Sequence, residues 1–122
     1  PIGQQSLEVS LRSEVFCKAV APSRTFLLER DAAALRAQGL GRRATFKDLL
    51  VFGPDGPIDN ELRFPDECVR HKILDMVGDL ALAGCQLMGS FSACRSGHRL
   101  NAELVGALRT VAESVNPWRR CA

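Results

Sequence analysis

The stretch DECVRHKILDMVGDLALA, residues 66–83, has matched start and stop signals. Asp66 stands just before the periodic run, Glu67 falls in its first turn and Gly84 lies just past its end, so a helix is predicted over 66–83. A second long helix is predicted from about Leu100 to Val115, where Leu100, Leu104, Leu108, Val111 and Val115 form a stripe at helical spacing and Pro117 stops the run. Outside these the patterns are shorter. Ser6–Ser13 alternates, with Leu7, Val9 and Leu11 on one side and Glu8, Ser10 and Arg12 on the other, which predicts a half-buried strand. Val15–Ala21 reads as a second strand, stopped by Pro22 and followed by the loop Pro22-Ser23-Arg24-Thr25-Phe26. Glu29–Gln38 is rich in helix formers and Gly39 supplies its cap. Leu49–Phe52 is a short apolar strand closed by the turn Gly53-Pro54-Asp55-Gly56-Pro57. Glu61–Phe64 and Gln86–Cys94 read as further extended pieces, the latter returning to the sheet. The expected class is α+β: a mixed or antiparallel sheet, two main helices packed on one face, and a small inserted β-α-β unit.

The chain has 122 residues, 46% hydrophobic, 25% charged and 6% aromatic, with a formal net charge of +2. One domain with a single core is expected. No apolar run approaches the roughly 20 residues of a membrane-spanning helix; the longest, Ile73–Leu87, is broken by Asp75, Gly78, Asp79 and Gly84. The near balance of 16 basic and 14 acidic residues offers no broad field for nucleic acid. Cys17, Cys68, Cys85, Cys94 and Cys121 contain no C-x-x-C pair and leave one thiol over in any disulfide scheme, so reduced cysteines are expected. A chain that starts at Pro1 without a signal-like segment reads as a fragment or processed product.

His71 and Asp75 stand at i and i+4 on the predicted helix. Side by side on one face, they read either as a surface His–Asp pair or as two ligands to one tetrahedral zinc, with a third from elsewhere and water in the fourth position. The zincin pattern is not met, because no second histidine follows at i+4 and Lys72 occupies its glutamate position. Asp79 extends the row by another turn among Ile73, Leu74, Met76, Val77 and Leu80, where a carboxylate needs a partner. His98, in a Ser-Gly-His turn, is the candidate. An Asp79–His98 hydrogen bond would favour the imidazolium, whereas a helix N-terminus would oppose it. A cationic histidine can stabilise an oxyanion or donate a proton; a capping role is the alternative. Thr25 and Phe26 follow the proline turn as either site groups or a turn hydroxyl and a core ring. Arg95, Arg99 and Lys72 could hold phosphate or be solvated.

Ala21-Pro22-Ser23-Arg24-Thr25-Phe26, Leu62-Arg63-Phe64-Pro65-Asp66-Glu67, Val69–Asp75, Gly78-Asp79-Leu80 and Ser96-Gly97-His98-Arg99-Leu100-Asn101, in that order, resemble one family, the zinc-dependent UDP-3-O-acyl-N-acetylglucosamine deacetylases of lipid A synthesis. The resemblance covers most of residues 15–110. It implies a two-domain α+β enzyme of the bacterial cytoplasm, of which residues 1–122 are the C-terminal domain, with the insert at about 27–52 forming part of a passage for the substrate acyl chain. His71 and Asp75 then match zinc ligands. Lys72 matches a lysine near the polar part of the substrate, Asp79 the carboxylate that orients the catalytic histidine, and His98 that histidine. Thr25 matches the hydroxyl that helps hold the oxyanion, and Phe26 the ring packing on the glucosamine. Arg95 stands where the family commonly has lysine, which keeps the charge and changes its geometry. The remaining zinc histidine and the glutamate base belong to the N-terminal domain and have no counterpart here, so the chain alone is expected to bind zinc weakly and hydrolyse little. The rival expectation is a non-catalytic domain holding an acylated ligand or protein partner in the same groove. A cysteine-and-histidine metal-binding regulator ranks last, and an organelle of a plant or alga is the alternative location.

Overall fold

The computed structural model describes residues 1–115. Pro117, expected to stop the last helix, and Cys121 lie outside the described residues. The chain divides into two compact units, Pro1–His71 and Lys72 onward.

The first unit is organised by a β-α-β element followed by a hairpin strand. β1 (Thr25–Leu28) leads directly into α2 (Glu29–Ala37), and β2 (Leu49–Gly53) returns parallel to β1, with Thr25 opposite Leu49 and Leu28 opposite Phe52. β3 (Gly56–Pro57) pairs antiparallel with β2, so the sheet is mixed, in the order β1-β2-β3. Together with the helices this is an α+β fold. β2 reads Leu-Leu-Val-Phe because it is buried on both faces. Leu50 and Phe52 point into a core shared with Cys68, Phe26, Leu28, Leu62 and Ile2. Val51 points the other way, toward a small cleft of about 50 Å³ lined also by Leu27, Leu35, Phe46 and Leu49. α2 packs on β1 and β2, and Gly39, at φ 77°, ends it with the Leu40 N–H reaching back to the Leu35 carbonyl at 3.0 Å.

Three segments of this unit depart from the sequence reading. Ser6–Ser13 forms no strand, although Leu7 and Val9 are half-buried between exposed Ser6, Glu8 and Ser10. Alternation decides which side chains turn inward, but a strand also needs a neighbouring edge, and no described residue supplies one. Val15–Ala21 is helical: α1 (Ser13–Val15) runs into a π-helical turn (Phe16–Val20). The inward residues are Val15, Phe16, Ala19 and Val20, a helical period, reinforced by a Lys18–Glu14 ion pair of 2.8 Å at i, i+4. Glu61–Phe64 is not a strand either, because side chains take its backbone groups: the Glu61 carbonyl accepts from Arg24 and the Arg63 N–H donates to Glu67.

α3 (Glu67–Leu80) opens in the first unit and continues into the second, where its last turn tightens into a 3₁₀ turn (Ala81–Ala83) and Gly84 stops it at φ 70°. Gln86–Cys94 is irregular rather than a strand. Leu87 is half-buried, but Met88, Phe91 and Ala93 are exposed, Met88 by 97%, so there is no continuous apolar face to hold it to a sheet. α4 (His98–Val115) begins two residues earlier than expected and packs on the 3₁₀ turn. Among the described residues of this unit Ala83, Asn101 and Val105 are buried, while Leu100, Leu104, Val111 and Val115 of the helical stripe are exposed. No helix among the described residues is long and apolar enough to cross a membrane.

Candidate functional site

In the first unit the most densely bonded group is one that sequence reading passes over. Arg24 and Glu67, both buried, form a two-pronged ion pair, Nε to Oε1 at 2.8 Å and Nη2 to Oε2 at 3.0 Å. Glu67 also accepts the backbone N–H groups of Arg24 at 3.0 Å and Arg63 at 2.7 Å. The remaining guanidinium donors go to Asn60 Oδ1 at 2.8 Å and the Glu61 carbonyl at 2.7 Å, and the Asn60 amide donates onward to the Phe46 carbonyl. Burial by itself would push the Glu67 carboxyl up. The hydrogen bonds from Arg24 and Arg63 and the Arg24 charge outweigh it and hold the group below the ordinary carboxylate range.

Next to this pair stand three of the expected site residues. Thr25 is exposed at the first position of β1. Phe26 meets the His71 ring edge to face, with centroids 6.0 Å apart and planes at 79°. His71 Nδ1 lies 3.3 Å from the Ser23 carbonyl, which can only accept, so Nδ1 carries a hydrogen.

The second unit gathers the other polar residues around the start of α4. Asp79 holds His98 Nδ1 with both carboxylate oxygens, at 2.9 and 3.1 Å, the hydrogen bond anticipated from the sequence. Asn101, 3% exposed, donates from Nδ2 to Asp79 Oδ2 at 2.8 Å. His98 Nε2 stands 4.0 Å from Asp75 Oδ1, while Lys72 Nζ donates to Asp75 Oδ2 at 2.8 Å. Desolvation raises the Asp79 carboxyl, but the bonds from Asn101 and His98 and the charges of His98 and Lys72 carry it below the usual range. An ionised Asp79 therefore fixes the proton on His98 Nδ1 and turns Nε2 outward on a ring whose side chain is 72% exposed. That arrangement lets Nε2 exchange a proton with a bound molecule. Arg95 is exposed, at φ 51°, and among the described residues no hydrogen bond or ion pair joins it to Lys72, Asp75, Asp79 or His98.

Asn101 and Glu67 each had a signal available. Asn101 sits one turn from the helix start, on the face that begins with His98. Glu67 precedes His71 by four residues, the same interval that separates His71 from Asp75. Arg24 had no such signal, because its partners are 36 to 43 residues away in sequence.

As a metal-binding set the residues are suitable but partial. His71 and Asp75 are both on α3, four positions apart, one in each unit. An imidazole whose Nδ1–H is given to a carbonyl is in the tautomer that metal-bound histidines adopt, and imidazole and carboxylate are zinc donor types. Among the described residues no three His, Cys, Asp or Glu side chains gather as a metal-holding group.

A family model described as "LpxC: UDP-3-O-acyl N-acetylglycosamine deacetylase" matches residues 1–110. Over 109 residues the chain is 49% identical to proteins named UDP-3-O-acyl-N-acetylglucosamine deacetylase from Brucella ovis and Brucella canis, covering 88% of this chain and 38% of each relative. The chain thus spans under two fifths of the length of the curated relatives it matches. It belongs to the LpxC family of deacetylases.

Proposed function

We propose that this chain contributes the C-terminal part of a zinc-dependent amidohydrolase that removes the N-acetyl group from UDP-3-O-acyl-N-acetylglucosamine in the bacterial cytoplasm. The observation that carries the reading is the Asp79–His98 pair, an anchored imidazole whose second nitrogen is presented outward beside Asp75. His71 and Asp75 would hold the zinc, with a further ligand and a glutamate base supplied by the family's N-terminal domain. When bound, zinc supplies Lewis-acid polarisation of the scissile amide and eases ionisation of water.

The chain's own residues do the rest. Thr25 donates its hydroxyl to the oxygen that gains charge as the carbonyl is attacked. His98, oriented by Asp79, passes a proton from Nε2 to the departing nitrogen, so that acetate and a free amine result. Lys72 and Arg95 meet the polar part of the substrate, and Phe26 packs on its glucosamine. The apolar cleft between α2 and the strands supports a role for residues 27–52 in receiving the acyl chain.

The test joins this chain to the N-terminal portion of a Brucella relative that lies outside the match and measures acetate release from the acylated UDP-sugar. The joined protein is expected to hydrolyse it, the chain alone to show little or no turnover, His71→Ala to abolish activity, and His98→Ala to lower kcat by about 10²–10⁴-fold. Metal-free binding of acyl ligands that His71→Ala leaves unchanged, without hydrolysis, would favour the non-catalytic alternative.

A further inference from the structure

We propose that Glu67 and Arg24 are positioning residues for His71, acting through a single peptide plane. The carbonyl of Ser23 and the N–H of Arg24 belong to the same planar trans peptide unit and point in opposite directions. α3 takes hold of both ends of that plane. Glu67 Oε1 accepts the Arg24 N–H at 3.0 Å, and one turn later His71 Nδ1 meets the Ser23 carbonyl at 3.3 Å. Rotation of the plane about its flanking bonds would break both contacts together. The two-pronged bond between the Arg24 guanidinium and Glu67 removes that freedom, and the Arg63 N–H on Glu67 Oε2 fixes the carboxylate in turn. The Ser23 hydroxyl, buried, donates to the Val20 carbonyl and holds the chain just before the plane. Glu67 and Arg24 thereby aim a carbonyl that admits only an Nδ1–H imidazole. They set the tautomer of His71 without touching its ring.

The importance of this for catalysis rests on the deacetylase reading, but the positioning can be observed without it. The imidazole nitrogens of His71 are followed by long-range proton–nitrogen correlation in the labelled chain at about pH 8, above the ordinary imidazole range near 6.5. The unaltered chain is expected to show His71 as a single Nδ1–H species. Glu67→Gln places an amide N–H against donors, and the single species is expected to give way to a mixture of tautomers. Should Glu67→Gln fail to fold, the paired variant Arg24→Met/Glu67→Leu replaces the buried charges with apolar groups of similar volume, an exchange that buried ion pairs commonly tolerate. It is expected to unfold cooperatively and still lose the single tautomer. A folded paired variant that keeps His71 wholly in the Nδ1–H form would overturn the proposal. Acetate release by the chain joined to the N-terminal portion of a Brucella relative gives a separate reading: a joined protein that folds and binds zinc yet hydrolyses nothing would count against the deacetylase reading and leave the tautomer result standing.

Discussion

Asn101 spends its buried amide on Asp79, and the value of that bond can be measured at the carboxylate. Asn101→Ala removes a donor that lowers the Asp79 pKa, so the Asp79 carboxyl carbon is expected to titrate at higher pH than in the unaltered chain; an unchanged midpoint would show that His98 and Lys72 suffice to hold it down. Glu67 gives a second prediction at this scale. Its folded-state pKa is depressed, so its contribution to stability is fully present above the ordinary carboxylate range, about 4.3 for glutamate, and is lost as pH falls through the lower folded value. Denaturant midpoints measured from about pH 7 downward should therefore fall more steeply for the unaltered chain than for Arg24→Met/Glu67→Leu. At neutral pH, Glu67→Ala should cost about 3–5 kcal/mol, because it leaves a buried guanidinium without its partner. The Asp79–His98 bond was legible beforehand because a carboxylate among apolar neighbours must find a partner and few were on offer. The Arg24 network was not legible, because side chains that meet across tens of residues leave no local spacing to read.

At the scale of elements, those with punctuation were the readable ones. α2 and α3 end at glycines in the left-handed region, and β2 is an apolar run closed by a proline-glycine turn, so their limits follow from local chemistry. Gly84 tests the point. A Cβ there would meet no atom within 4 Å, so Gly84→Ala is purely a matter of backbone conformation and should lower stability by about 1–2 kcal/mol, read as a drop in Tm. An unchanged Tm would mean that the end of α3 refolds around the substitution at no cost. The misread segment Val15–Ala21 had the apolar content of a strand but the inward set Val15, Phe16, Ala19 and Val20 of a helix; over so few residues the two periods are hard to tell apart. Ser6–Ser13 kept the alternation of a strand and lacked the hydrogen-bonding edge that would make it one.

Across the whole molecule, burial is unevenly distributed, and hydrogen exchange should follow it. Among the described residues, Val20, Leu50, Val51, Phe52 and Cys68 are the buried apolar residues of the first unit, against Ala83 and Val105 in the second. Amides of β2 and the opening turns of α3 are expected to exchange slowest and those of the irregular run 85–97 fastest, because local opening is cheapest where few apolar contacts are broken. Exchange in β2 as fast as in that run would contradict the core assignment. The helical stripe of α4 was legible as a period, but the surface that would cover it was not, since periodicity says which residues share a face and nothing about what lies opposite.

The core also places a chemical clock in the unaltered chain. Cys17, Cys85 and Cys94 are exposed, whereas Cys68 is 4% exposed against Leu50 and Phe52. A thiol-reactive reagent should therefore modify Cys17, Cys85 and Cys94 rapidly and reach Cys68, alone buried among the described cysteines, only as often as the sheet parts from the helix. The rate of the Cys68 adduct, located by peptide mass spectrometry, would report how frequently the native core opens, without denaturant or substitution.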